Sequence, residues 1–254
     1  GFSALAETPG AQPAVDALTA VASLLSDRHE IARFLQVGSP WTARYGLSDS
    51  LFLVAEQPEP AARAAAEFFF NLAFCAHQAS APILIRGAIT DGEVHHVPGL
   101  FPETSSQNLV GEAVAQAVLL EKSGSKGPRL LLSEPVARVL EQSELAWMLD
   151  REPPNPYELL WLLPPDPALM DGPMIGDVAN SVVRFFLDHT HSDRARPHHV
   201  AYLDLVVRAL LRLKQRDPKA GTAAIARAKL QRARAAPASL LSQTLAERIE
   251  HLLA

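Results

Sequence analysis

The chain has 254 residues, enough for one large domain or for a medium domain and a small one. Hydrophobic residues make up 48% and charged residues 20%, which allows a sizeable core and excludes wholesale disorder. A net charge of −5 without a long basic run argues against nucleic-acid binding, and the single cysteine excludes a disulfide framework, so we expect a cytoplasmic protein.

The first two thirds of the chain alternate helical and strand patterns. Apolar spacing predicts a helix over residues 15–35, and two short runs around Gly46, residues 41–45 and 49–55, predict a β-hairpin. A helix rich in Ala and Phe follows over residues 58–78. The next predicted elements are a buried strand over 82–89, its hairpin partner over 93–97, a loop over 98–107, a helix over 111–122, and strands over 129–133 and 157–163.

The last third of the chain has a different character. After a proline-rich linker over residues 164–173, apolar spacing of 3.6 residues predicts a helical subdomain without a long membrane-spanning stretch. We therefore expect two domains, residues 1–165 and residues 172–254. The C-terminal helices are expected over 178–188, 200–215, 221–234 and 239–253.

The order of elements predicts an α+β protein, an α/β sandwich. Up to residue 133 the order is αββαββαβ, and one additional strand ahead of Gly1 would make it βαββαββαβ. That order contains the βαββαβ unit of a ferredoxin-like fold together with one extra hairpin element.

Three segments carry motifs in a recognisable order. They are Tyr45-Gly-Leu-Ser-Asp49-Ser-Leu-Phe-Leu-Val54, Arg86-Gly-Ala-Ile-Thr-Asp-Gly92, and Asn108-Leu-Val-Gly-Glu-Ala-Val-Ala-Gln-Ala-Val-Leu-Leu-Glu121. Together they resemble the class III nucleotidyl cyclase homology domain. The resemblance covers about residues 1–163 and implies a ferredoxin-like cyclase core, with the C-terminal helices outside it.

The resemblance implies two metal-binding carboxylates. In this family two divalent cations, Mn²⁺ or Mg²⁺, assist attack of the 3′-hydroxyl on the α-phosphate and are held by two aspartates. Asp49 matches the aspartate of the hairpin, so it is predicted to be a catalytic metal ligand, and the second aspartate is expected just before Gly1. The turn at Gly1, Phe2 and Ser3 matches the family's turn into its first helix, where backbone N–H groups would bind phosphate.

Two positions of the resemblance bear on the choice of base. Adenylate cyclases of this class have a lysine where this chain has Tyr45 and an aspartate where it has Asn108. The Tyr45 ring would fill space that a purine needs, and the Asn108 amide can match a pyrimidine edge. The pair resembles the uridylate cyclases of bacterial Pycsar anti-phage systems. UTP is therefore the predicted substrate, although the amide can flip to match cytosine.

The chain also departs from the family on the helix after Gly111. Ala115 and Leu119 stand where typical members have an asparagine and an arginine that act in the transition state. Either another cation substitutes, with Arg44, Arg86 and Arg129 as candidates and Arg86 as the predicted catalytic residue, or the domain is inactive. The alternative role for Arg86 is a structural ion pair with Glu121.

These observations predict a pyrimidine nucleotidyl cyclase that makes cyclic UMP as an anti-phage signal. The alternatives are a cytidylate cyclase and a degenerate domain that binds a nucleotide or a partner without turnover. Family members form active sites across a dimer, so a homodimer is expected. Each protomer would give Asp49 to one site, and Tyr45 with Asn108 to the other.

Other polar groups are predicted to be solvated. The histidines between residues 189 and 199 could suggest a zinc site, but a polar connector between two helices is the favoured interpretation. Arg208, Arg212 and Arg216 are four residues apart and predict a solvated basic helix face. His95 and His96 are expected to be surface histidines of a strand, although one of them could face a nucleotide cleft.

Overall fold

The computed structural model describes residues 40–47, 50–79, 84–98, 107–123, 126–151, 156–166 and 171–254. The predicted helix over residues 15–35 and the candidate site residues Gly1, Phe2, Ser3 and Asp49 lie outside these ranges. Within the described ranges the chain is an α+β protein in which helices predominate.

The predicted hairpin around Gly46 is confirmed. Strand β1 (Trp41–Leu47) pairs antiparallel with β2 (Ser50–Ala55), in a register that runs from Trp41 opposite Ala55 to Leu47 opposite Ser50. Helix α1 (Pro58–Ala79) follows, with two prolines in its first turn, where a missing N–H group costs nothing.

A four-stranded sheet lies at the centre of the described part. Its strands are β3 (Gly87–Ile89), β6 (Leu130–Leu132), β8 (Tyr157–Leu159) and β7 (Leu149–Asp150), in that spatial order. Strand β3 is parallel to β6, whereas β6 with β8 and β8 with β7 are antiparallel pairs. The triple-leucine strand β6 is buried on both faces, as expected for a central strand.

The predicted pairing of residues 93–97 with the strand before them is wrong. Strand β4 (His95–Pro98) pairs instead with β5 (Gln107–Val110), which begins at the last residue of the predicted loop. Strand β3 pairs with β6, and the Gly87 amide donates to the Arg129 carbonyl oxygen at 2.9 Å. We call the β4–β5 pair the ribbon.

The described strands thus form three separate sheets. Within the described ranges, β2 and β3 each pair on one side only. The ferredoxin-like cyclase core therefore remains a prediction.

The helices predicted within the described ranges are present with shifted ends, whereas the helix Glu134–Leu140 and the 3₁₀ helix Glu144–Met148 were not predicted. In the first part of the chain they are α2 (Glu112–Lys122), α3 (Glu134–Leu140) and the single 3₁₀ turn Glu144–Met148. In the C-terminal part they are α4 (Gly172–Asp188), α5 (Arg196–Arg216), α6 (Pro218–Ala228), α7 (Leu230–Arg234) and α8 (Gln243–Leu253). Among the described helices, none is both long and apolar enough to cross a membrane.

The predicted helix over residues 221–234 is two helices. Lys229 ends α6 in the left-handed conformation, with φ of 47°, and so breaks the run of helical hydrogen bonds. Both pieces still bury an apolar side, which explains why a single helical period was visible across the break.

The buried core runs without interruption across the predicted domain boundary. Trp161 is buried after β8, and its ring lies 5.7 Å from that of Phe69 on α1 and 5.8 Å from that of Tyr202 on α5. Its indole N–H donates to the Pro128 carbonyl oxygen at 2.9 Å. One side chain therefore ties the sheet to helices of both predicted domains.

Candidate functional site

Tyr45 joins the hairpin to the ribbon. It lies on β1 opposite Phe52, and its hydroxyl oxygen is within hydrogen-bonding distance of His96 Nδ1 on β4. The two ring centroids are 5.6 Å apart, with 30° between the ring planes. Strand β5, which bears Asn108, also lies against β1.

Asn108 is exposed, and the ladder register determines its face. His96 is opposite Leu109, whereas Asn108 is opposite Val97. Because side chains alternate along a strand, Asn108 points to the other face of the ribbon from His96 and its partner Tyr45. The structure therefore brings Tyr45 and Asn108 onto adjoining strands but does not bring their side chains together on one face of the ribbon.

The ribbon is fixed to α2 at Gly111. This residue has φ of +146°, and a Cβ atom there would meet the Glu93 carbonyl oxygen at 2.2 Å, so only glycine fits. Nearby, the Ala113 amide donates to Glu93 O at 3.4 Å, and the Thr90 hydroxyl donates to Ala113 O at 2.8 Å. The start of α2 thus sets the position of Asn108, three residues earlier.

Arg86 caps the C-terminal end of α2. Its guanidinium donates to the carbonyl oxygens of Glu121 and Ser123, the latter at 3.2 Å, and its Nε lies 3.4 Å from Glu121 Oε1. A cation at this end of a helix is favoured by the helix dipole. The ion pair with Glu121 that we considered as an alternative role is present, and a catalytic role for Arg86 stays a prediction.

The outer face of α2 is exposed where the family has its asparagine and arginine. Ala115 is exposed, and the Leu119 side chain is 69% exposed. Because the two residues are four apart, they share one side of the helix. This side carries no polar group at either position.

The described ranges contain no group of three or more His, Cys, Asp or Glu residues that could hold a metal ion. Asp49, the predicted ligand, lies in the connection between β1 and β2, outside the described residues. The described residues therefore do not supply a metal site, and the metal assignment depends on Asp49 and on the resemblance.

Six charged side chains form a cluster between the sheet and the C-terminal helices, which we call the ionic cluster. Glu158 on β8, 1% exposed, accepts hydrogen bonds from Arg129 Nε at 2.9 Å and from Arg208 Nη2 at 2.8 Å. Three of its members are cations and three are anions, and Arg212 adds a fourth arginine at its margin, 3.6 Å from Asp150. The members are Arg129, Asp150, Glu158, Asp204, Arg208 and Arg248.

The ionic cluster corrects the prediction for the arginines of α5. Arg208 is buried and is not part of a solvated face. Burial opposes its charge, but Glu158 and Asp204 outweigh that effect and raise the pKa of Arg208 above its usual range. Sequence reasoning missed Glu158 itself, although a lone carboxylate in the apolar run Tyr157–Leu163 signals a buried charge that needs a partner.

The prediction that the histidines between residues 189 and 199 are solvated is wrong for His199, which lies in the first turn of α5. His199 is 2% exposed and stacks on His189, with ring centroids 4.3 Å apart. Its Nδ1 has no hydrogen-bond partner among the described residues. Burial, with the neighbouring His189 and His198, lowers the pKa of His199 to about 4.

Acidification is expected to destabilise the protein through His199. A folded pKa of about 4 lies below the usual value of 6.5, so the stability is complete above pH 6.5 and is lost as the pH falls towards 4. Between pH 7.5 and pH 5.0 the protonation of His199 lowers the free energy of unfolding by about 2 kcal/mol. Over this pH range, urea unfolding should show a smaller fall in the free energy of unfolding for His199→Gln than for the wild type, and the difference should equal that amount. The exposed control His191→Gln should behave as wild type. An unchanged pH dependence in His199→Gln would contradict the assignment.

Comparison with known proteins found no match to this chain. No protein-family model matches the chain, and no curated protein or solved structure gives a significant match.

Proposed function

We propose that the chain is a pyrimidine nucleotidyl cyclase that converts UTP to 3′,5′-cyclic UMP and pyrophosphate as a signal in anti-phage defence. The observation that carries the proposal is the meeting of the hairpin and the ribbon. Tyr45 reaches His96 on the ribbon, and the strand that bears Asn108 lies against β1. The two predicted base-reading residues therefore lie on adjoining elements.

The proposed reaction needs precise positioning more than covalent help from side chains. The 3′-oxygen bonds to the α-phosphorus, the α-phosphorus separates from the oxygen that bridges to the β-phosphate, and the 3′-hydroxyl proton passes to solvent. Tyr45 and Asn108 hold the base, and Gly1, Phe2 and Ser3 contact phosphate through backbone N–H groups. Mn²⁺ or Mg²⁺ ions, when bound, would neutralise phosphate charge, and Asp49 is the residue of this chain that would hold them.

The proposed enzyme is a homodimer with active sites at the interface, located in the cytoplasm. Two features of the described surface support an assembly of this kind. Asn108 is exposed on one face of the ribbon, together with Val97 and Val110. The exposed Leu119 adds another apolar group on the neighbouring α2.

The base assignment is tested by exchanging the two residues for those of adenylate cyclases. The double variant Tyr45→Lys, Asn108→Asp should raise the ratio of kcat/KM for ATP to that for UTP by about 10²-fold, because two groups that read the base have changed. Steady-state kinetics with each nucleotide measures the ratio. The matched control, Gln142→Lys with Gln116→Glu, introduces the same two charges at exposed positions outside both strands. A ratio that stays at the wild-type value would reject the assignment.

A second candidate function is binding of a nucleotide or a partner without turnover. The observation that favours it is the apolar face of α2, where Leu119 and Ala115 replace the family's polar pair. Arg86, the predicted substitute cation, is engaged with the end of α2. Nucleotide binding in calorimetry without any cyclic product would select this candidate.

A further inference from the structure

Positive charge is concentrated near the C-terminal end of the chain. The whole chain has a net charge of −5, yet the 29 residues from 218 to 246 contain five Lys or Arg residues and no Asp or Glu. The overall charge argues against a nucleic-acid partner, but one locally basic surface is sufficient to bind phosphate groups. The partner of this segment therefore depends on where its cations lie.

The five cations lie on the outer side of α6, of α7 and of the residue between them, which we call the basic surface. Both helices pack on α4 and bury apolar residues, such as Ala224 on α6 and Leu230 on α7. Lys219 and Arg227 are eight residues apart on α6, so they share one stripe and lie about 12 Å apart along the helix axis. All five cations are exposed: Lys219, Arg227, Lys229, Arg232 and Arg234.

Neighbouring carboxylates neutralise only part of this charge. Arg227 lies 3.4 Å from Asp177 and Arg234 lies 2.6 Å from Glu250, and each arginine side chain is 55% exposed. Exposed ion pairs of this kind are weak, so both arginines can also contact an external anion. Within the part of the chain that the structure describes, the other three cations have no carboxylate partner: Lys219, Lys229 and Arg232.

Lys229 has a backbone conformation that the fold alone would favour for glycine. Among the described residues it is the only one other than glycine with a positive φ, 47°, and it lies at the C-terminal end of α6. Glycine adopts this conformation freely, whereas a lysine is disfavoured there. A lysine at such a position indicates a use for its side chain outside the fold.

The composition and spacing of the basic surface favour a nucleic acid over other polyanions. Three of its five cations are arginines, whose guanidinium groups bind phosphate through two hydrogen bonds. A separation of about 12 Å is too long for one phosphate group and matches the width of the major groove of B-form DNA. The exposed residues between the cations include Thr222, Ala226 and Gln231. They offer no large apolar group for a membrane or a protein interface, and no ring that could stack on a base.

We propose that the basic surface binds the phosphate backbone of double-stranded DNA without reading its sequence. Three to five phosphate contacts give a modest affinity, with a Kd of about 10⁻⁴ to 10⁻⁶ M at physiological salt. The basic surface lies outside the region of resemblance to cyclases, so this proposal does not depend on the proposed function.

The test measures the fluorescence anisotropy of a labelled DNA duplex of about 20 base pairs with the full-length protein, at about 50 to 200 mM salt. A plot of the logarithm of the binding constant against that of the salt concentration should have a slope between about −2.7 and −4.5, which is about −0.9 for each of three to five contacts. Two duplexes of unrelated sequence should bind equally. An RNA duplex should bind more weakly, because its major groove is narrow.

A triple variant removes the three cations that have no carboxylate partner. It should weaken binding at least about 10-fold and bring the slope closer to zero by about 2.7. The matched control removes two lysines and one arginine from exposed positions elsewhere, and it should bind within about twofold of the wild type. The triple variant is Lys219→Gln, Lys229→Gln and Arg232→Gln, and the control is Lys122→Gln, Lys126→Gln and Arg138→Gln.

The single variant Lys229→Gly separates DNA contact from folding. Glycine relieves the disfavoured backbone conformation, so the midpoint of urea unfolding should rise. Loss of the side chain should nevertheless bring the salt slope closer to zero by about 0.9. A slope equal to that of the wild type would contradict the role of Lys229.

Three results would overturn the proposal. The first is no binding of the DNA duplex at about 50 mM salt, and the second is equal weakening in the triple variant and its control. The third is binding of poly-glutamate, of the RNA duplex, or of vesicles with equal parts phosphatidylserine and phosphatidylcholine as tightly as the DNA duplex. Formation of a cyclic nucleotide is measured separately, so failure of this proposal and failure of the proposed function are distinguishable.

Discussion

The variant Glu158→Gln is expected to lower the free energy of unfolding by about 3–5 kcal/mol, the range measured when one partner is removed from a buried ion pair. Glu158 accepts hydrogen bonds from both Arg129 and Arg208, which are themselves buried. A glutamine of similar size keeps the packing but removes the negative charge. Two guanidinium groups would then remain buried beside each other without their common partner.

Urea unfolding at neutral pH measures this effect. The matched control is Glu134→Gln, which removes a carboxylate paired with Arg138 at 2.8 Å on the exposed side of α3. Exposed pairs contribute little, so the control should unfold as the wild type does. If Glu158→Gln and Glu134→Gln have the same small effect, the ionic cluster does not hold the C-terminal helices to the sheet.

Asp49→Asn is expected to reduce formation of the cyclic nucleotide by at least about 10³-fold. The reason is chemical: an amide has no charge with which to hold a divalent cation, and charge stabilisation by such ions is worth several kcal/mol in the transition state. Asp49 is the only metal ligand that the resemblance assigns within the 254 residues. Product formed from UTP by purified full-length protein, quantified by mass spectrometry, gives the ratio.

The control for this variant is Asp193→Asn. Asp193 is exposed between α4 and α5, pairs with Arg196 at 2.8 Å, and lies outside the region of resemblance. Its replacement should leave activity within twofold of wild type. Equal activity of Asp49→Asn and the wild type would remove the metal-dependent mechanism, and it would favour a role for the C-terminal helices.

Local signals in the sequence were sufficient to predict most of the secondary structure. The hairpin around Gly46 and the helix beginning at Pro58 depend on alternation, turn residues and helix-start signals that act within a few residues. The strand pairing of β4 was predicted wrongly because a turn at Asp91-Gly92 is also a local signal. It could not reveal that β4 pairs with β5, at residues 107–110.

The buried charges were the least predictable part of the candidate site. Arg208 has the spacing of a solvated helix face, and its burial depends on Glu158 and Asp150, more than 45 residues away in the chain. The contact between Tyr45 and His96 was equally hidden, because a histidine in a polar strand is ordinarily at the surface. Only the tertiary fold brings Arg208 and its partners, or Tyr45 and His96, together. Glu158 is different, because its apolar neighbours in the sequence could have identified it as a buried charge.

The most direct test of the proposed cyclase activity is to incubate the full-length protein with Mn²⁺ and each of ATP, GTP, CTP and UTP separately, and to identify the products by mass spectrometry. The proposal predicts cyclic UMP and pyrophosphate from UTP, and little cyclic product from either purine nucleotide. Cyclic CMP alone would keep the class of enzyme and overturn the choice of base. The absence of any cyclic product from all four nucleotides would contradict the cyclase proposal.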